Sequence, residues 1–275
     1  VMDISIVIVS YHSQPIIYRC LESLQQTTWH DLEYEIFVVD NARETDLAQG
    51  LAAHWPEVHY ISSSNIGYAA GNNLALRQAS GKYWVIMNPD TAVEPNVIWE
   101  LYNFMESHPR VGMVGPSQYN PDGSKQDSCY RWHRLYTPFC RRSPRLAKFS
   151  WAQKELRRFL LADADLSQCC PVDWLLGSFL FIRAAAMRQV GYFDERYRLY
   201  FDDTDLSRQM WHHGWQVIYY PEVAILHNHQ RASAQLPWYR IFNSWAGRQH
   251  VFSWFKYLLK WGPGGKSHVP RGKNI

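Results

Sequence analysis

Three aspartates crowd the stretch Tyr200-Phe201-Asp202-Asp203-Thr204-Asp205, and His227-Asn228-His229 follows further along the chain. Like charges so close repel one another, and the aromatic neighbours on the N-terminal side argue for partial burial rather than a solvated face. Such a cluster calls for a metal, a proton or a substrate. Asp202 and Asp203 are candidates for a general base, whereas Asp205, which precedes Leu206, reads as structural, facing a backbone amide or an arginine. A separate acid, Asp90 in Asn88-Pro89-Asp90, follows the apolar run Tyr83–Met87 and so belongs just past the end of a buried strand. One carboxylate there suits a hard divalent cation that takes its remaining ligands from water and substrate phosphates. His227, beside Ile225 and Leu226, reads on its own as a satisfied core histidine; pairing with Asp90 would make it a metal ligand.

These groups need a scaffold that brings distant positions to one edge, and the hydrophobic pattern supplies it. Ile4–Ser10 is a β-branched run suited to a strand buried on both faces, Pro15–Gln26 has helical spacing, and Tyr34–Asp40 is a second apolar run ending in an acid. A helix over Leu47–His54, a strand over Val58–Ile61, a helix over Gly71–Ala79 and a strand over Tyr83–Met87 continue the alternation. The expected fold class is α/β, a doubly wound and mostly parallel sheet flanked by helices. Ligands in such sheets bind beyond the carboxyl ends of the strands, where Ser10-Tyr11, Asp40-Asn41 and Asn88-Pro89-Asp90 all fall.

From about Met113 to Asp173 the periodicity weakens, which reads as an insertion containing a basic amphipathic helix over Trp151–Leu161. Regular pattern resumes with a strand over Trp174–Arg183, a helix over Ala184–Val190, a helix from about Thr204 to His213 capped by Asp203 or Thr204, and a strand over Gln216–Tyr220. Trp238–Trp261 mixes aromatic residues with Arg and Lys. It suits a core-packing helix or, with its Trp and Lys exposed, attachment to an anionic bilayer. The division expected is a first half over 1–112 and a second half over 113–235 of one domain, followed by a helical tail over 236–275.

At 275 residues with 47% hydrophobic and 19% charged side chains, the chain has ample core, and a formal net charge of +3 does not call for nucleic acid. The basic side chains are nonetheless concentrated at Arg131, Arg134, Arg141, Arg142, Arg145, Lys148, Lys154, Arg157 and Arg158, a pattern that suits an anionic partner or a membrane surface. The 5 cysteines have no zinc spacing, and an odd number cannot close a complete internal disulfide set, which favours a reducing compartment. Ile4–Val9 is too short for a signal segment, and no uninterrupted apolar run reaches about 18 residues.

Asn65-Ile66-Gly67-Tyr68-Ala69-Ala70-Gly71-Asn72-Asn73 lies between a strand and a helix, where its glycines suit either a diphosphate at a helix start or a plain helix cap. Asp40 could cap a turn or accept an N–H from a pyrimidine base.

Taken together, Ser5–Tyr11, Val38–Asn41, Asn65–Asn73, Asn88–Asp90, Gly177–Phe179 with Arg183, Gly191–Glu195 and Phe201–Leu206 resemble an inverting family 2 glycosyltransferase with a GT-A fold, in its bacterial rhamnosyltransferase-like branch. The resemblance implies a UDP- or dTDP-sugar donor, dTDP-L-rhamnose being favoured by the branch, and a divalent metal, Mg or Mn. It places Ser10, Tyr11, Asp40, Asn65, Gly67, Asn88 and Asp90 along the donor, with Asp40 on the base and Asn65 and Gly67 on the ribose-diphosphate path. Asp90 and His227 become the metal ligands, Asn88 standing where the motif usually has its first acid. Asp203 takes the base position beside Asp202, which replaces the family's usual glutamate. Asp173, Trp174 and Gly177 face the acceptor or the donor sugar, and 229–235 resembles a lid with Arg231 on a phosphate. The implied acceptor is a glycan, free or lipid-linked, handled in the cytoplasm with peripheral contact to the inner membrane. A sugar-nucleotide pyrophosphorylase is the first rival, but it needs a basic glycine-rich loop after the first strand, where Ser10-Tyr11-His12-Ser13 stands. A non-catalytic nucleotide- or glycan-binding module is the second.

Overall fold

The computed structural model describes residues 2–228, 244–262, 264, 265 and 267. Its N-terminal part runs β1 (Ile4–Ser10), α1 (Ile16–Gln25), β2 (Tyr34–Asp40), α2 (Thr45–His54), β3 (His59–Ser62), α3 (Tyr68–Leu76), β4 (Tyr83–Met87), β5 (Thr91–Val93) and α4 (Val97–Ser107). The remainder comprises β6 (Val111–Tyr119), β7 (Lys125–Gln126), β8 (Cys129–Tyr130), α5 (Thr137–Arg142), α6 (Ser150–Phe159), β9 (Cys170–Pro171), β10 (Trp174–Leu175), β11 (Phe179–Arg183), α7 (Ala184–Val190), α8 (Asp202–His212), β12 (Gln216–His227) and α9 (Trp245–Trp261).

The central sheet has the order β3-β2-β1-β4-β11-β6-β12-β5. Strands β1 to β4 are mutually parallel, β11 is antiparallel to both β4 and β6, and β12 is parallel to β6. Ile4, Ile6 and Ile8 of β1 pack into the core on one face of the sheet, and Val7 and Val9 into the core on the other. That is the period of a strand, and it explains why the run is apolar throughout: each face is covered by helices. The resulting fold is the doubly wound, mostly parallel sheet expected from sequence.

Four local readings change. The pattern from Met113 does not open an insertion: residues up to Tyr119 form β6, whose neighbours are β11 and β12 in the heart of the sheet. Its Gly115, Pro116 and Ser117 interrupt the β-branched signature, and the neighbouring strands override that weak propensity. Helix α4, absent from the sequence reading, covers the sheet next to it. The stretch Trp174–Arg183 is two strands, since β10 pairs with β8 in a separate two-stranded sheet while β11 joins the main one. Helix α8 begins at Asp202 with no side-chain cap; Phe201 precedes it at φ 65°, so the chain enters the helix through a left-handed turn.

Candidate active site

The strand directions assemble the site. β4 ends at Met87, and because β11 runs the other way, with Phe179 opposite Met87, the residues just before it arrive at the same edge. The Asn88 N–H donates to the Ser178 carbonyl at 2.9 Å and fixes Gly177 beside the end of β4. β12 ends at His227, which lies opposite Thr91 at the start of antiparallel β5, so Asp90 and His227 are neighbours. Three chain segments far apart in sequence therefore meet at one sheet edge through register alone.

Asp90 Oδ1 stands 3.5 Å from His227 Nε2. On the other side of the ring, Gln126 Oε1 lies 3.0 Å from Nδ1, while the same amide's Nε2 donates to the His227 carbonyl at 2.6 Å and to Asn120 Oδ1 at 2.6 Å. With both amide hydrogens committed to carbonyl oxygens, Gln126 offers only an acceptor, so the imidazole carries its proton on Nδ1 and presents the Nε2 lone pair toward the Asp90 carboxylate. A carboxylate oxygen and an imidazole lone pair facing one another, with the ring orientation fixed by an amide behind it, is a donor set that fits a divalent cation. Among the described residues no group of three or more His, Cys, Asp or Glu side chains could hold a metal, so a bound ion would draw further ligands from water and substrate. Gln126 does not stand out in the sequence; its place follows the turn at Pro121-Asp122-Gly123, which folds β7 back onto β6.

Asp203 lies in the first turn of α8. Its Oδ2 accepts the Gly177 N–H at 3.0 Å and its Oδ1 accepts the Thr204 N–H at 2.7 Å. A methyl group on Gly177 would approach the Asp203 side chain to 3.1 Å, so the glycine lets the loop lie against the carboxylate. Burial pushes the Asp203 carboxyl up, against the lowering pull of these amides, and burial together with the adjacent Asp203 charge pushes Asp202 well above the usual carboxylate range. No Lys, Arg or His forms an ion pair with either among the described residues. Both line a cavity of about 280 Å³ that also takes in Tyr68, Asn88, Trp174, Gly177 and His227. Tyr68, unassigned in the sequence reading, donates its hydroxyl to the Gly177 carbonyl at 3.1 Å. The cavity thus contains the histidine of the Asp90 pair and the acidic pair together.

Other expected site residues do different work. Asp40 is fully buried, and its carboxylate accepts the Ala42 N–H at 2.8 Å, the Glu44 N–H at 2.6 Å and the Tyr60 hydroxyl at 2.8 Å. With these donors in place it braces the loop after β2, the turn-capping alternative, and has no oxygen exposed to a base. Asp173 does not face a sugar: it is fully buried, held by the Trp132 N–H at 2.8 Å and the Ser267 hydroxyl at 2.7 Å. Trp174 next to it does line the cavity, stacked on Tyr130 at 4.3 Å.

Gly67 has φ 98°, and a Cβ there would meet the Arg198 carbonyl at 2.7 Å, so its freedom serves a close backbone approach to residue 198. Asn65 accepts from Arg198 through its carbonyl at 2.7 Å, and Asn73 clamps Phe193 and Glu195. Ser10 is buried at the end of β1 with its carbonyl on the Asn41 N–H, and Tyr11 is 51% exposed just beyond. Arg231 lies outside the described residues. Asp205 turns away from the cavity, and its partners are Lys260 at 2.7 Å and the Trp261 indole at 2.6 Å rather than an arginine or a backbone amide.

Comparison with known proteins places this arrangement among glycosyltransferases of the GT-A fold. The chain belongs to glycosyl transferase family 2, whose profile matches residues 5–161. A second profile, described as Glycosyltransferase (GlcNAc), matches residues 105–271. The N-acetylglucosaminyl-diphospho-decaprenol L-rhamnosyltransferase of Mycobacterium tuberculosis is 29% identical over 252 residues, 84% of this chain and 78% of that protein. Rhamnosyltransferase WbbL of Escherichia coli K12 is 25% identical over 93% of this chain and 92% of its own. Both of these relatives are rhamnosyltransferases. Among solved structures, the mannosyltransferase PcManGT from Pyrobaculum calidifontis, in complex with GDP-Man and Mn2+, superposes with a TM-score of 0.61 at 18% identity over 97% of this chain. GalNAc-T7 with UDP, GalNAc and Mn2+ gives 0.61 at 14% identity over 82% of this chain. The chain spans 65% and 44% of those two solved chains, less than two thirds of either. No helix among the described residues is long and apolar enough to cross a membrane.

Proposed function

We propose that this protein transfers a sugar from a UDP- or dTDP-linked donor, dTDP-L-rhamnose in the reading its relatives favour, to a hydroxyl of a glycan acceptor with inversion at the anomeric carbon. The observation that carries the reading is Asp203: a carboxylate held by two backbone amides, without a cationic partner among the described residues, in the same cavity as His227. Burial makes such a carboxylate a stronger base than one in water, so it can take the proton of an acceptor hydroxyl as that oxygen attacks. Gly177 and Thr204 fix where its lone pairs point. Burial and the adjacent Asp203 charge push the Asp202 carboxyl well above the usual carboxylate range, which disfavours a second charge in the cavity.

Asp90 and His227 would hold Mg or Mn, and such an ion, when bound, offsets charge on a departing diphosphate. Gln126 keeps the His227 tautomer suited to that role, and Asn88, Tyr68 and Trp174 shape the space for the sugar. Residues 1–112 then form the donor half, 113–235 the acceptor and catalytic half, and 236–275 a helical tail. Asp40 serves as a positioning residue for the loop after β2. The acceptor we favour is carried on a lipid at the cytoplasmic face of a membrane. Supporting this, α9 exposes Phe252, Phe255 and Leu259 along one side, and Phe139, Phe149 and Trp151 stand exposed in the basic segment, with Phe139 edge-on to Trp254 at 5.9 Å. Failure to sediment with anionic vesicles would remove the membrane part of the proposal alone.

The test is the melting temperature with UDP, dTDP, GDP or CDP, each with and without Mn2+. Ligand at about 100 times its Kd adds about 2.7 kcal/mol of stability. UDP or dTDP is expected to stabilise most, with a metal-dependent part that disappears in Asp90→Ala. Stabilisation that ignores Mn2+, or that only GDP or CDP provides, contradicts the proposal.

A further inference from the structure

The chain enters α8, and so reaches Asp202 and Asp203, through two consecutive left-handed residues, Tyr200 at φ 67° and Phe201 at φ 65°. Neither is a glycine, and bulky side chains disfavour that conformation, so such a turn persists only where its surroundings over-determine it. The helix itself supplies one anchor, the Asp205 N–H donating to the Phe201 carbonyl at 2.9 Å. The residues before Phe201 need another.

Helix α9 provides it. Ser253 Oγ donates to the Leu199 carbonyl at 2.8 Å, Lys256 Nζ donates to the Arg196 carbonyl at 2.6 Å, and Lys260 Nζ meets the Asp194 carboxylate at 2.8 Å. Positions 253, 256 and 260 are three and four apart, so they form one line along the helix, while the points they hold step back through the loop from 199 to 196 to 194. The helix and the loop are laced together antiparallel. From the same helix the rings of His250 and Tyr257 close on Phe201, with centroids 5.3 and 5.5 Å away, and His250 also packs on Tyr200 at 4.9 Å. The start of α3 grips the loop as well, since the Arg198 carbonyl accepts the Tyr68 N–H at 2.9 Å. Within the line, Ser253 is buried and Lys256 exposed, so water replaces the lysine's bond more readily than the hydroxyl's.

We propose that Ser253 is a positioning residue for the transfer reaction: by fixing the Leu199 carbonyl it holds the left-handed turn and with it the direction of the Asp203 carboxylate, assisted by Lys256. The inference rests on the transferase reading and gives α9 a part in the chemistry that is separate from any contact with a lipid surface. Ser253 touches neither the cavity nor the acids; it acts on them through the backbone of residues 199–201.

The experiment is a double-mutant cycle on the full chain, with dTDP-L-rhamnose as donor and an alkyl glycoside as acceptor, that combines Ser253→Ala with Tyr200→Gly. Glycine adopts the left-handed conformation without steric cost, so in its background the turn depends less on the clasp. Ser253→Ala alone is expected to lower kcat about tenfold, short of the about 10²-fold that a 1 Å misplacement can cost, with both KM values within about twofold of the parent. In the Tyr200→Gly background the same substitution should cost about threefold or less, whatever Tyr200→Gly costs by itself. Lys256→Met should lower kcat in the same sense and by less. Hydrogen exchange at the amides of residues 200–206 should quicken in Ser253→Ala while the amides of α9 keep their protection. An unchanged kcat, a loss carried in KM, equal losses in the two backgrounds, or exchange quickened along the whole of α9 would each overturn the assignment. If the parent turns over no donor, the transferase reading has failed, and the exchange measurement still decides whether Ser253 holds the turn.

Discussion

Asp203 and Asp205 sit two positions apart in the first turn of α8, yet their surroundings differ in kind. Asp205 is almost fully buried and meets the Lys260 ammonium, the Trp261 indole and the Tyr197 hydroxyl, and Lys260 also bonds Asp194 at 2.8 Å. Burial pushes Asp194 up, but the hydrogen bonds and charges of Arg196 and Lys260 outweigh it and hold the carboxyl well below the usual range. That corner is a closed ion-pair network whose role is to dock α9 on α8. Asp202 and Asp203, by contrast, have no cation among the described residues and border a cavity. Proximity in sequence says nothing of this division; what separates the two pairs is whether another element of the fold supplies a counter-charge.

The largest stability change should come from breaking the closed corner. Lys260→Met leaves two carboxylates without their ammonium, and removing one partner of a largely buried pair costs about 3–5 kcal/mol. We expect a melting temperature lowered by several degrees and α9 made accessible to protease; an unchanged melting temperature would dissolve the contrast. The open corner should respond with the opposite sign and less strongly. Because the folded-state value of Asp202 is raised, its contribution to stability is complete below the unfolded carboxylate range and is lost as pH rises through the folded value. Asp202→Asn, which mimics the protonated form, should therefore melt a few degrees higher than the parent at pH 8, and the gap should close toward pH 4. Each tenfold rise in proton affinity that folding imposes on the carboxylate corresponds to about 1.4 kcal/mol. A variant less stable than the parent at pH 8 would show that Asp202 has a cationic partner after all.

The legibility of the chain follows the same line. Strands β1, β2 and β4 are readable to the residue because each is buried along most of its length and bounded by polar or turn residues. Asp90, Asp202 and Asp203 stand out because their charge has no packing rationale in the local pattern, whereas His227 reads alone as a core histidine and draws notice only when paired with Asp90. Asp40 and Asp173 mislead for the complementary reason. A buried aspartate satisfied by amides and hydroxyls looks the same in sequence as one awaiting a ligand, and its donors, Tyr60 for one and Trp132 for the other, lie 20 and 41 residues away. β6 escapes a sequence reading because Gly115 and Pro116 weaken its signature while both neighbouring strands, which fix it, come later in the chain. Gln126 and Lys260 gain meaning only through partners brought in by the fold.

The most direct test of the account is the single-turnover rate of sugar transfer in Asp203→Asn, measured alongside nucleoside diphosphate affinity in Mn2+. General-base catalysis contributes about 10²–10⁴-fold, so the rate should fall by that factor while the affinity stays within about twofold of the parent. Transfer at the parental rate, or a loss of rate matched by an equal loss of nucleotide affinity, would contradict the role assigned to this carboxylate.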